Sequence, residues 1–320
     1  MPIAAPEPLI ATVPKELAGT RFDQALAQLF PDYSRTRLAH WVRMGRITVG
    51  TKKLSPKSRL QGGEQVQLHP APLESPSWTP EALPLAIVHE DCDLLIINKP
   101  QGLVVHPGAG NFRGTLVNAL LYHFHELAQV PRAGIIHRLD KDTTGLLVVA
   151  RTLRAHKQLV DQLKARAIIR EYLGLVIGTL TSGGVIRAPI GRHPVQRTRM
   201  AVNSSGRPAT THYRILERFL ACTFIRLSLD TGRTHQIRVH MAHLGYPLVG
   251  DPVYGKRPRT HNGGDANLTD ALLGFGRQAL HATHLELEHP LGRHRLTFDA
   301  PLPEDMFGLL EKLRACDSAG

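Results

Sequence analysis

The run His137-Arg138-Leu139-Asp140-Lys141-Asp142-Thr143-Thr144-Gly145 lies between two apolar segments, Gly134-Ile135-Ile136 and Leu146-Leu147-Val148-Val149-Ala150. Short β-branched runs on either side of Asp, Thr and Gly read as strand, loop, strand. The loop thus sets a carboxylate beside an arginine, on a base that two buried strands hold still, which is a common setting for catalytic groups. The same residues also suit a tight turn in which Asp and Thr cap backbone amides. Taken alone, the run leaves both readings open.

A second run bears on that choice. Asp230-Thr231-Gly232-Arg233-Thr234-His235-Gln236-Ile237-Arg238-Val239-His240-Met241 continues to Gly250-Asp251-Pro252-Val253-Tyr254-Gly255. Two further segments stand with it, Gly102-Leu103-Val104-Val105-His106-Pro107-Gly108-Ala109-Gly110-Asn111 and Arg277-Gln278-Ala279-Leu280-His281-Ala282. Together they resemble the RluA-type pseudouridine synthases, whose hallmark is an HRLD loop followed at a distance by GRTHQIRVH. The resemblance runs from Arg21 to the Pro301-Leu302-Pro303 region. Within the family, the Val105–Asn111 segment and the run Val130-Pro131-Arg132-Ala133-Gly134 resemble members that act on large-subunit ribosomal RNA.

The resemblance implies an α+β chain. A small S4-like helix-and-strand RNA-binding domain would precede a catalytic domain built on a central, mostly antiparallel mixed sheet. It also implies the activity: isomerisation of uridine to pseudouridine in large-subunit ribosomal RNA, without a cofactor.

Composition is compatible with such a partner. The 320 residues suffice for two domains, and 42% hydrophobic residues can support a sizeable core. Thirty-nine Lys and Arg against 27 Asp and Glu give a formal charge of +12, which suits a polyanion because each neutralised phosphate releases counterions. Cys92, Cys222 and Cys316 are scattered and odd in number, so they suggest neither a disulfide framework nor a paired metal site, and a reducing cytoplasm is expected. The N-terminus lacks a basic segment followed by an apolar core, and no apolar run approaches the ~20 residues of a membrane-spanning helix. No membrane partner is expected, and the chain reads as a monomer.

Residues 1–17 are Pro-rich and read as a loosely held tail. From Arg21 the pattern tightens, and residues 18–70 form the first expected domain. Phe22, Leu26, Leu29 and Phe30 repeat at helical spacing up to Pro31. Ser34 then reads as the N-cap of a second helix carrying Leu38, Trp41 and Val42, with Gly45 closing it. Strands follow at Ile47-Thr48-Val49 and Val66-Gln67-Leu68. Between Tyr33 and Gly63 there is no acidic residue, while Arg35, Arg37, Arg43, Arg46, Lys52, Lys53, Lys57 and Arg59 are basic. One-signed charge on a small folded unit points to an RNA-binding face, with Arg35, Arg37, Arg43, Lys52 and Lys53 as candidate contacts.

Residues 71–84, rich in Pro and Ser, read as a linker, with Trp78 available to pin it to a neighbour. The catalytic domain is expected over 85–315. Strand-like runs recur at 86–88, 94–97, 146–150, 172–177 and 224–229, and a helix over 153–165 turns Leu159 and Leu163 inward. The polar stretch from Lys256 to Gly276 reads as a surface loop.

Joining uracil to ribose through carbon after detaching it through nitrogen oxidises nothing and adds no water. It needs an ionised carboxylate as nucleophile or base. The resemblance assigns this to Asp140, and assigns Arg238 as the guanidinium that keeps a cleft carboxylate charged and oriented. Arg233 is the competing candidate, though better placed for a phosphate. With Thr234 as N-cap, Ile237, Met241 and Leu244 form an apolar stripe that leaves Arg238 off it. Tyr172 matches the family's active-site tyrosine, though it also suits a core strand position. Arg138 is implied in holding the target nucleotide out of the RNA stack, and His235 is a further candidate RNA contact.

His235, His240 and His243 sit at offsets of five and three, not the i, i+4 pair of a zinc helix, so no metal is expected. Two other readings stand beside the enzyme: a non-catalytic ribosomal-RNA-binding assembly factor, and a metal-dependent nuclease.

Overall fold

The computed structural model describes residues 8–33, 35–50, 54–70, 78–108, 110–255 and 266–318. Lys52, Lys53 and the Ser34 cap lie outside the described residues, as do 256–265 of the expected surface loop.

The N-terminal unit is a three-stranded antiparallel sheet with two helices against it. Its elements are β1 (Leu9–Thr12), α1 (Phe22–Leu29), α2 (Arg35–Arg43), β2 (Ile47–Val49) and β3 (Gln65–Leu68), in sheet order β1-β3-β2. The tail expected over 1–17 therefore ends sooner. Leu9 to Thr12 pair residue by residue with Leu68 to Gln65, so backbone hydrogen bonds hold a segment whose composition suggested none. Phe22 and Leu26, one turn apart, meet Leu38, Trp41 and Val42 of α2 and Ile47, Val66 and Leu68 of the sheet in a core of their own. Gly45, at φ 71°, lets the chain leave α2 through a left-handed residue, its N–H donating to the Val42 carbonyl.

The rest is built on β4 (Ile87–Glu90), β5 (Leu94–Lys99), α3 (Leu116–His123), β6 (Thr144–Ala150), α4 (Leu153–Lys164) and β7 (Ile169–Ile177). There follow β8 (Gly184–Arg187), β9 (Ile190–Arg192), β10 (Met200–Val202), β11 (Thr210–Arg218), β12 (Cys222–Leu229) and α5 (Gln236–His243). The chain closes with α6 (Ala266–Leu273), β13 (Leu280–Glu288), β14 (Arg295–Asp299) and α7 (Glu304–Ser318). Among the described residues the main sheet runs β4-β5-β6-β13-β7-β12-β11-β8, with β14 on the later half of β13. Every pairing in it is antiparallel except β6 with β13. This is the mixed, mostly antiparallel sheet of an α+β fold.

Alternation along β5 and β6 sets two cores on opposite faces. Leu94, Ile96, Leu146 and Val148 pack with Ala155 and Leu159 of α4, while Leu95, Ile97, Leu147 and Val149 pack with Leu116 and Leu120 of α3. Trp78 packs against the α3 side, and the Thr79 carbonyl accepts from Asn118 Nδ2 at 2.7 Å. The second half of the expected linker is thus docked on the larger unit. Part of the expected surface loop is the helix α6, with Leu272 buried against α7 residues.

Candidate active site

The His137–Gly145 loop sits between two close approaches. Its N-terminal flank is not a full strand: Pro131 to Gly134 turn through two left-handed residues, Arg132 (φ 55°) and Ala133 (φ 49°), and Ile135 makes one isolated bridge to Val149. Its C-terminal end enters β6 at Gly145 (φ 109°), where a Cβ would fall on the Ala282 backbone of β13. Only glycine allows β6 and β13 to meet there. Three further ties fix the loop. His137 Nε2 accepts from the Val148 N–H at 3.2 Å, and the Asp140 carbonyl accepts from the Thr143 N–H at 3.1 Å. Lys99, fully buried, donates from Nζ to the carbonyls of Pro100, Leu103 and Lys141 at 2.8–2.9 Å. Burial pushes its ammonium down to about 8 despite the Asp142 and Asp140 carboxylates nearby.

The Arg277–Ala282 segment supports the other side. Arg277 Nη1 donates to the Asp142 carbonyl at 3.0 Å, and Gln278 Nε2 to Thr143 Oγ1 at 3.1 Å. His281 Nδ1 lies 2.8 Å from Thr144 Oγ1. Arg277 is itself held by Asp305 at the start of α7, at 2.6 and 2.9 Å.

Helix α5 brings the guanidinium. It starts at Gln236, later than a Thr234 cap would give, with His235 at the cap position in the left-handed region (φ 55°, ψ 24°). The anchor is instead Gln236, which accepts from Thr231 Oγ1 and the Arg233 N–H and donates to the Thr210 carbonyl and Thr211 Oγ1. Two residues on, Arg238 is 5% exposed and donates from Nη1 to Asp140 Oδ2 at 3.0 Å. Its Nε and Nη2 donate to Asp251 at 2.7 and 2.8 Å. Burial opposes the charge of Arg238, but the Asp251 and Asp140 carboxylates outweigh it and raise its pKa. Burial likewise disfavours the Asp251 carboxylate, and the Arg238 hydrogen bonds with two backbone N–H groups override that and lower its pKa. The structure therefore places Arg238, not Arg233, against Asp140. Arg233, on the cleft wall, donates from Nε to the Pro208 carbonyl.

Asp140 and Arg238 line a cleft of about 520 Å³, whose walls also carry Arg138, Arg233, Tyr172 and His235. Tyr172 is buried at the cleft, which raises its phenol above the ordinary value. His106 and His137 each hold one buried ring nitrogen, Nε2 and Nδ1, without a protein partner. Burial, reinforced by neighbouring arginines, pushes His106 to about 4 and His137 to about 3, so both rings are neutral. Because His137 Nε2 accepts a main-chain N–H, its proton sits on Nδ1, leaving an unspent donor.

The N-terminal candidates divide. Arg35 is engaged by Asp23, at 2.7 and 2.9 Å, and Arg37 stacks over Trp41 with its guanidinium carbon 4.6 Å from the ring centroid. Arg43 is exposed. Of the α5 histidines, His240 spends both ring nitrogens on Thr211 and Ala188. Among the described residues, Asp91, Cys92 and Asp93 are the three metal-type donors that come together, with His289 Nε2 at 3.3 Å from Asp91. His289 Nδ1 accepts from the Gly292 N–H, so its Nε2 carries the proton and is a donor to Asp91, not a ligand.

Sequence reading missed Lys99, Asp251, Tyr254, Arg277 and Asp305 as site residues. Four of them stand in or beside the family-like motifs. Asp305 has no comparable signal.

A buried carboxylate–guanidinium–carboxylate array facing a basic cleft is the equipment of an enzyme that handles a polyanion. A family model described as RNA pseudouridylate synthase matches residues 93–243. The chain belongs to the RNA pseudouridylate synthase family. It is 55% identical over 308 residues to the ribosomal large subunit pseudouridine synthase D of Yersinia pestis, covering 96% of this chain and 95% of that one. It is 56% identical over 304 residues to the protein of the same description from Pseudomonas aeruginosa, covering 95% of each. Among solved structures, human RNA pseudouridylate synthase domain containing 4 aligns with a TM-score of 0.56 at 27% identity, over 72% of this chain and 93% of that one.

Proposed function

We propose that this enzyme isomerises uridines of large-subunit ribosomal RNA to pseudouridine, acting as a monomer in the cytoplasm, with Asp140 as the reacting carboxylate. The observation that carries the reading is the Asp140–Arg238–Asp251 array, 98 and 13 residues apart in sequence and joined by hydrogen bonds, with Asp140 and Arg238 on the cleft wall. A guanidinium shared by two carboxylates orients Asp140 while taking only one of its oxygens. In this reading Asp140 assists cleavage of the bond from C1′ to N1. The uracil turns within the cleft, the bond from C1′ to C5 forms, and the proton lost from C5 is balanced by one gained at N1. Tyr172 lies against the base, and its neutral phenol is available near the departing proton. Arg138, on the cleft wall, helps hold the target nucleotide out of the RNA stack. His137 Nδ1–H and His106 supply polar groups to the base or ribose.

The test is pseudouridine mapping of ribosomal RNA from cells lacking the protein. Specific large-subunit sites should vanish and return only with the wild-type gene. An unchanged map would sink the choice of substrate.

The N-terminal unit, an S4-like domain in this reading, supplies sequence-independent affinity through its exposed basic residues. Replacing Arg43, Arg46 and Lys57 together by Gln should flatten the salt dependence of RNA binding, by about 0.7–0.9 in the log–log slope for each phosphate no longer neutralised. The isomerisation rate at saturating RNA should not move. An unchanged slope across a salt series would refute the role.

A further inference from the structure

Asp140 has two oxygens, and Arg238 takes one of them. The other, Oδ1, faces His235 Nε2 at 3.8 Å. On its far side, His235 Nδ1 lies 2.9 Å from the Tyr254 hydroxyl. That hydroxyl oxygen in turn accepts the main-chain N–H of Met200, at the start of β10, at 2.9 Å. We propose that Tyr254 and His235 are positioning residues for the reaction, forming a relay from the Met200 amide that aims one neutral N–H at the second oxygen of Asp140. This deepens the reading above and rests on it.

The direction of each bond follows from elementary donor and acceptor chemistry. A main-chain N–H can only donate, so the Tyr254 oxygen is an acceptor toward Met200. Among the described residues that hydroxyl has one other partner, His235 Nδ1, so donation to it is the arrangement that uses the phenol proton. An imidazole that accepts at Nδ1 and is neutral carries its proton on Nε2, the nitrogen facing Asp140. The surroundings favour both neutral forms. Burial raises the Tyr254 phenol and lowers the His235 imidazolium, although Asp140 pulls the latter the other way.

Backbone geometry points to the same role. His235 sits at φ 55°, ψ 24°, in the left-handed region that residues with a Cβ adopt infrequently. In this conformation His235 stands at the helix start on the cleft wall. Tyr254 is fixed as well: its N–H donates to Asp251 at 3.0 Å, its ring lies edge-on to His235, and Arg238 lies over its face at 5.2 Å. One carboxylate, Asp251, therefore sets both N–H groups that face Asp140: Arg238 directly, in hydrogen-bond contact, and His235 through Tyr254, 3.8 Å away.

The relay's outer end belongs to a charged arm. β9 and β10 form an antiparallel hairpin, and from Tyr172 to Leu216 the chain has no acidic residue but carries Arg187, Arg192, Arg197, Arg199, Arg207 and Arg214. An RNA backbone seated on this arm would bear on the Met200 amide, and so on the donor to Asp140.

The test uses the full chain and a large-subunit ribosomal RNA transcript. Tyr254→Phe keeps both ring contacts and removes only the oxygen. Its single-turnover rate at saturating RNA should fall about tenfold, the scale of one hydrogen bond to a charged group. RNA affinity and the unfolding midpoint should stay at the wild-type level. His235→Gln, which keeps an N–H near the Nε2 position, should retain more rate than His235→Ala. The double variant Tyr254→Phe/His235→Ala should be no slower than His235→Ala alone. Side-chain nitrogen NMR of the RNA-free protein should show His235 protonated at Nε2 and unprotonated at Nδ1, with that preference lost in Tyr254→Phe. A proton on Nδ1, a wild-type rate in Tyr254→Phe, or additive losses in the double variant would each overturn the relay. A wild-type protein inactive on this transcript would instead sink the substrate reading, and the NMR result would still decide the relay.

Discussion

Asp140→Asn should lose uridine isomerisation by at least about 10⁴-fold, the scale on which an essential reacting group fails, while RNA binding and fold are retained. The substitution keeps the shape of the side chain and an oxygen for Arg238 Nη1, and removes only the negative charge. Folding should tolerate this because Arg238 keeps its bidentate partner: Nε and Nη2 are bound to Asp251, whose side chain is wholly buried. Asp140, with its side chain 14% exposed, is the dispensable carboxylate of the array for stability and the indispensable one for chemistry. The measurement is single-turnover isomerisation alongside RNA affinity and a denaturation midpoint. Activity near wild type would refute the mechanism, and a parallel loss of RNA affinity would move Asp140 from chemistry to binding.

The two ends of this site were open to sequence reading for different reasons. The loop carrying Asp140 and the run carrying Arg238 each combine residue types that a plain core or surface does not need, and the family resemblance joined them across 98 positions. Asp251 lies within the second family-like run, but its residue type gives no sign of its role. An Asp before a Pro reads as a turn residue, and its four accepted hydrogen bonds, two from Arg238 and two from the Val253 and Tyr254 N–H groups, exist only once the chain has folded. Lys99 was hidden similarly. A lysine closing an apolar strand reads as its solvated end, yet three backbone carbonyls draw it fully inside. The strand over 94–97 was legible because it is apolar throughout, but for that reason it showed no period, and the two cores on its faces could not be told apart. β1 went unseen because four residues after a Pro-rich start carry too little pattern, and long-range pairing with β3 makes the strand. Tyr172 shows where residue type misleads: it is both a buried strand residue and a wall of the cleft, so neither reading of it excluded the other.

Asp251→Ala should destabilise the fold by about 3–5 kcal/mol, the cost of leaving one member of a buried ion pair without its partner. In the variant, Arg238 remains buried with Nε and Nη2 facing the space the carboxylate filled, and the Val253 and Tyr254 N–H groups lose their acceptor as well. Asp251→Asn should fall between. With its oxygen in the Oδ1 place it still accepts from Arg238 Nη2, Val253 and Tyr254, but its amide then meets the Arg238 Nε–H donor to donor. Urea unfolding at neutral pH reads both values. Acid adds a second, independent signature. The folded-state pKa of Asp251 is lowered, so its contribution to stability is present above the unfolded carboxyl value and lost as pH falls through the folded one. The wild type should therefore lose an increment of stability below about pH 4 that Asp251→Ala does not have to lose. The single-turnover rate should drop most in Asp251→Ala even where the protein is fully folded, because Arg238 is then free to turn away from Asp140 and Tyr254 from His235, and less in Asp251→Asn, which loses only the acceptor of Arg238 Nε. A stability loss under about 1 kcal/mol for Asp251→Ala would mean that water can take the carboxylate's place, and the array would be a surface pair in energetic terms despite its burial. A full loss of stability with a wild-type rate in the folded fraction would separate the two roles and leave Asp251 to the fold alone.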